Sequence, residues 1–226
     1  FYVTVQDAMG GRTYPDVIGL TRSNFDTHGQ TIDPQFFIED PGHKATTVYL
    51  PYRCILPRRT EGLLVIGLGM SAHRDAMPIL RMQPDIQNQG YAAGTAAAMA
   101  VKGGTTVRDI DVKALQRHLV EKAILKPEDL EMKDNFPLPD SEFDQATADL
   151  ADDYKGLPVL MTDYARALPR LQGAFHAAEG EAKLNYAHVL AMMGRPDGEK
   201  QLLAKFSSMD WDKGWNYRGM GQFNRS

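Results

Sequence analysis

Residues 50–100 read LPYRCILPRRTEGLLVIGLGMSAHRDAMPILRMQPDIQNQGYAAGTAAAMA, and the order of features along them decides the fold. The stretch opens inside a β-rich run, Thr46 to Leu56, where Pro51 has no N–H for a ladder and predicts an edge or a bend. Glu61-Gly62 then leads into Leu63 to Gly67, a short apolar run bounded by glycine, which suits a buried strand. Pro84 precedes an Ala-rich segment, Ile86 to Lys102, that closes on Gly103-Gly104. Proline at the start and glycine at the end are the signals of a helix. Between strand and helix lies a loop carrying His73, Arg74, Asp75 and Arg81.

Gly67-Leu68-Gly69-Met70-Ser71-Ala72 fits the dinucleotide pattern G-x-G-x-x-A. That pattern works only if a helix begins at the second glycine and a second strand ends in an acid about 20 residues on. Pro78 interrupts any such helix, and the acid's position falls at Gly90 inside the Ala-rich segment. The loop is therefore not expected to bind a pyrophosphate.

Outward from this stretch, residues 1–60 read as strands and long loops, beginning with the strand-like Tyr2 to Val5. Thr13-Tyr14-Pro15-Asp16 and Asp40-Pro41-Gly42-His43 carry turn chemistry. Downstream, Asp111 can cap a helix that shows Val112, Leu115, Leu119 and Ala123 at helical spacing. Lys126 to Asp140 holds Pro127, Pro137 and Pro139 among several acids and reads as a linker. After it come helices over Phe143 to Tyr154, Pro158 to Phe175 (interrupted near Pro169), Glu181 to Met193 and Gly198 to Phe206. The last two, joined by Gly194-Arg195-Pro196-Asp197, form one HEAT-like hairpin. A solenoid needs about three repeats to bury a core, so an ordinary helical subdomain fits the same residues. The expected fold class is α+β: strands and an Ala-rich helix over 1–125, a linker over 126–140, and an all-α subdomain over 141–226.

The chain has 226 residues, 43% apolar and 24% charged, which is ordinary globular composition. Its net charge is -4 and its pI about 5.9, which gives no general attraction to nucleic acid or anionic membranes. The longest near-apolar run, Ala92 to Val101, is too short and Ala-rich to cross a bilayer. The lone cysteine, Cys54, excludes an intrachain disulfide and a cysteine zinc site, and its apolar setting suggests an inert buried thiol. His28 and His43 lie among turns, whereas His118, His176 and His188 lie among helices, with no spacing that makes a metal site. Phe1 is not an initiator, and the tail from Trp211 to Ser226 stops without an element to close it. Both ends are read as cuts in a longer protein, which leaves its compartment open.

The blocks in residues 50–100 come in a recognisable order: Pro51-Tyr52-Arg53-Cys54, Leu63 to Gly67, Ser71-Ala72, Arg81, Pro84 and Gly90 to Ala98. They resemble the C-terminal flavin segment of the FAD-dependent oxidoreductase family, whose pattern runs PYR-C-LLP, LLVAG, SA, R-x-x-P, G-x-AAG-x-AAA. Gly11-Arg12-Thr13-Tyr14-Pro15-Asp16 and Asp26-Thr27-His28-Gly29 also resemble family elements, so the likeness covers about the first 125 residues. The resemblance implies FAD as cofactor and a small-molecule substrate of unknown identity. It places Gly67, Leu68, Arg81, Met82, Gln83, Pro84, Asp85 and Ile86 beside the flavin ring, with the helix N-terminus aimed at the pyrimidine edge. An N-terminus favours the negative charge that reduction places at N1 and O2 of the flavin. Gly90, Ala92, Ala93 and Gly94 would allow close approach to the sheet, although plain close packing explains them equally.

The catalytic candidates are His73, as a proton carrier, with Arg74 or Arg53 holding an anionic substrate; structural ion pairs in a solvated loop are the alternative. Three departures stand out. Leu68 replaces an arginine common after the strand glycine, and Asp85 replaces a cysteine common after the R-x-x-P proline. Arg74 stands where His is usual. The glycine-rich half that binds ADP is absent from these residues, so the chain by itself is expected to hold FAD poorly. The alternative function is a helical scaffold or binding protein built on a degenerate flavin segment.

Overall fold

A computed structural model describes residues 1–26, 32–37 and 45–209. The chain divides into two compact units, the first holding residues 1–28 and 41–136 and the second residues 29–40 and 137–226.

In the first unit the chain enters through Val3, bridged in parallel to Ala72, and turns at once into helix α1 (Val5–Met9). The expected strand Tyr2 to Val5 is thus cut short, because Thr4 and Asp7 form a capping box. The Asp7 N–H donates to Thr4 Oγ1 at 3.0 Å, and the Thr4 N–H donates to Asp7 Oδ2 at 2.8 Å. Two satisfied amides outweigh the weak strand preference of one valine. A turn at Tyr14 (Val17 N–H to Tyr14 O, 3.3 Å) leads to strand β1 (Val17–Ser23). Strand β1 pairs antiparallel with β2 (Thr46–Pro51), with Leu20 opposite Tyr49, Thr21 opposite Val48 and Arg22 opposite Thr47. β2 ends at Pro51 in a 3₁₀ turn over Tyr52–Ile55, the bend its proline predicted.

The apolar run Leu63 to Gly67 does not form a buried strand. Among the described residues its one bond to another segment's backbone is Val65 N–H to Ile55 O at 2.8 Å, and Leu63 is exposed. Hydrophobicity alone makes no ladder without a neighbouring edge to pair with. The run ends in a 3₁₀ turn at Gly67–Gly69, and the one-turn helix α2 (Met77–Leu80) follows. No helix springs from Gly69, in keeping with rejection of the dinucleotide pattern.

Helix α3 (Gln83–Gly103) carries the Ala-rich segment, starting three residues before its predicted start at Ile86 and ending at a left-handed Gly104. Its buried residues Gln89, Ala92, Ala96 and Ala100 form one stripe, alanine after the first. Helix α4 (Val112–Glu121) is capped by Asp111, whose Oδ1 accepts from Ala114 N–H at 3.0 Å, and buries Leu115 and Leu119. Both helices contact β1. Ala123 is not helical: it takes a left-handed φ of 57°.

The second unit contains α5 (Asp140–Asp149), α6 (Leu157–Leu160), α7 (Tyr164–Ala177), α8 (Gly180–Met192) and α9 (Glu199–Ser208). The expected helix Pro158 to Phe175 breaks at Thr162-Asp163 and not at Pro169, which lies inside α7. Asp163 decides this by capping the Arg166 N–H at 3.2 Å. α8 is bound to α5 and the turn after it by Tyr186 Oη donating to Thr147 O and by Asn185 Nδ2 donating to Leu150 O, both at 3.0 Å. α8 and α9 contact each other, but α9 buries none of its side chains. No helix among the described residues is long and apolar enough to cross a membrane. The turn at Asp40 to His43, His28 and the tail from Trp211 lie outside the described residues.

Candidate functional site

Three segments of the first unit meet at one buried side chain. Gln89 is 2% exposed; its Oε1 accepts from Gly67 N–H at 3.0 Å and its Nε2 donates to Leu80 O at 3.0 Å. The amide thus fastens the Gly67 turn and the end of α2 to the second turn of α3. Gly67 has a φ of +61°, where a side chain is strained, and its backbone lies against Ile86. Arg81 holds the exit of β1 by donating from Nη2 to Asp26 O at 2.9 Å.

The start of α3 has no side-chain cap: Met82 offers none, and Pro84 has no N–H. The first-turn amides of Gln83 and Asp85 therefore lack intrahelical acceptors, and the helix end is electropositive. Met82, Pro84 and Asp85 line a cavity of about 510 Å³ whose opposite wall includes Leu20, Arg22 and Tyr49 of the β-ribbon. Thr21, Thr47 and Lys126 also line it. The register explains the wall: Leu20 pairs with Tyr49 and Arg22 with Thr47, and the buried Thr21 between them also borders the cavity, while its partner Val48 is in the core. Burial holds the Asp85 carboxyl above its ordinary pKa.

The structure divides the sequence-derived candidates. Met82, Pro84 and Asp85 line the cavity; Gly67 and Ile86 do not, and a Cβ built on Gly67 would stand 3.6 Å from the Ile86 side chain. Gln83 is exposed, and Leu68 is 72% exposed. His73, Arg74 and Arg53 are not among the residues lining it. His73 Nδ1 accepts from Asp75 N–H at 3.2 Å, and its ring meets Tyr2 edge-on. Arg74 is exposed and 3.8 Å from Asp75. Arg53 lies between Asp16 and Asp134, 3.5 Å from each, with its guanidinium 4.4 Å from the Phe1 ring centroid. Gln89, Arg22, Tyr49 and Lys126 escaped the sequence reading. Gln89 is one of three glutamines in α3, with Gln83 and Gln87, and nothing in the sequence singled it out. The cavity-facing side of β1 showed no signal until its partner's register was known. No group of histidine, cysteine and acidic residues suited to a metal ion occurs among the described residues.

A family model described as "FAD dependent oxidoreductase" matches residues 1–119, more than half of the chain. The chain belongs to the FAD-dependent oxidoreductase family. No curated protein and no solved structure matches it. The donor set at α3 fits the group that the family implies. Uncapped amides suit an electron-rich ring edge, and a carboxyl whose pKa is raised by burial repels an anion less than an ordinary aspartate would.

Proposed function

We propose that this chain supplies the flavin-ring side of an FAD-dependent oxidoreductase acting on a small molecule. The observation that carries the reading is the uncapped N-terminus of α3, opening on a cavity that Met82, Pro84 and Asp85 line. A bound flavin would supply the acceptor for a hydride equivalent from the substrate. Met82, Pro84, Asp85 and Ile86, with the Gly67 turn, would hold its pyrimidine edge. The first-turn amides of α3 stabilise negative charge there, and Asp85, whose proton is retained by burial to higher pH, softens the repulsion. Gln89 fixes the spacing between the turn and the helix. Arg53 and Arg74 are turned to carboxylates and take no step in this reading; His73 lies off the cavity and takes none either.

The ADP part of FAD requires a glycine-rich loop at a helix N-terminus. Gly67–Gly69 is a 3₁₀ turn with no such helix, so we assign ADP binding to a separate segment that completes the site. Visible absorption after FAD is added tests the proposal, comparing this chain with the longest protein that carries it. Flavin bands retained by the longer protein after gel filtration are the expected result. A folded longer protein that retains no flavin would overturn the proposal and leave the scaffold reading.

A further inference from the structure

The wall of the cavity opposite α3 is chemically divided. Leu20, Tyr49 and Met82 offer apolar and aromatic surface, while Arg22 and Lys126 bring two cations to the rim. Arg22 is exposed and makes no ion pair or side-chain hydrogen bond among the described residues, although most of the described arginines are paired. Among the described residues the Lys126 ammonium pairs with the exposed Glu128, 3.8 Å away. Asp85 is the one acid in the lining against the two cations, so the wall suits an anion. A planar guanidinium beside an aromatic wall matches a planar carboxylate attached to an apolar body.

We propose that this cavity binds a small monocarboxylic acid with an apolar or aromatic body, its carboxylate held by Arg22 and Lys126 and its body by Leu20, Tyr49 and Met82. That the acid is the substrate rests on the flavoenzyme reading; that the cavity binds it does not.

The test is calorimetric titration of the chain, without FAD, against benzoate, benzamide and inorganic phosphate. Benzoate binds and benzamide does not; phosphate is the weaker ligand. Arg22→Gln raises the Kd for benzoate about tenfold, as expected for loss of one charge-assisted hydrogen bond. Lys126→Gln raises it less. Both positions are exposed, and circular dichroism verifies that the variants fold. Equal binding of benzoate and benzamide, tighter binding of phosphate, no binding of benzoate, or a Kd unchanged in Arg22→Gln would each overturn the proposal. Retention of flavin by the longer protein is measured in parallel on Arg22→Gln. Retention is expected, and its loss would place Arg22 in the cofactor site and overturn the assignment. Benzoate binding without flavin uptake keeps the carboxylate site and removes the flavoenzyme reading. Flavin uptake without benzoate binding does the reverse.

Discussion

Asp85 sits where two demands conflict. It occupies the first turn of α3, where a negative charge is welcome, yet burial there raises its pKa above the ordinary carboxylate value. A group whose native pKa is raised binds its proton more tightly in the folded state, so it subtracts stability as pH rises past the unfolded value of about 3.9. Asp85→Asn is therefore expected to raise the melting temperature at pH 7. The gain should shrink as pH falls and vanish below about pH 3.9. Thermal melts across that range measure it, and a gain that grows toward acid would contradict the burial argument. Cys54 shows the same force without the conflict. Burial pushes its thiol up to about 12, so it carries no thiolate at neutral pH and serves as packing.

At the level of elements, α3 is positioned by one amide. Its stripe of alanines gives close approach but little direction, since methyl groups slide past one another. Gln89 supplies the register by pairing at once with Gly67 and Leu80. Gln89→Leu would bury an unpaired N–H and an unpaired carbonyl, at a cost of about 3 kcal/mol. Urea unfolding checks this, and in the longer protein the same variant should weaken flavin retention. Helices α8 and α9 are tied differently. A Cβ built on Gly198 would stand 2.2 Å from Ala187 Cβ, closer than any real contact. Gly198→Ala should cost about 2 kcal/mol through overpacking. A neutral result would mean that the hairpin can open without loss.

For the whole molecule, the first unit closes on residues beyond the 125 boundary expected from composition. Arg12 donates to both Asp134 oxygens, from Nε at 3.0 Å and from Nη2 at 2.9 Å, and stacks within 4.9 Å of the Phe136 ring centroid. Although burial opposes it, the Arg12 hydrogen bond leaves the Asp134 carboxyl below its usual pKa. Thr13 adds an N–H bond to Asn135 Oδ1 at 2.9 Å and a hydroxyl bond to Lys133 O at 2.6 Å. A piece ending at 136 should thus be more stable than one ending at 125 by at least about 2 kcal/mol, since a bidentate ion pair is lost. Denaturant midpoints of the two pieces decide it. Equal midpoints would place the boundary earlier.

What the sequence by itself determined was local or ordered along the chain. The helix over 83–103 was legible from proline, alanine and glycine, the cap at Asp111 from one side chain, the bend at Pro51 from a missing N–H, and the family from a series of spaced blocks. Tertiary structure alone decided the rest. It denied Leu63 to Gly67 a ladder, because a strand needs a neighbour. It turned Arg53 toward Asp16 and Asp134, because a cation takes the nearest carboxylates in space and not in sequence. It brought Arg22, Tyr49 and Lys126 to one cavity with Asp85, because strand register and helix placement set which distant side chains share a wall.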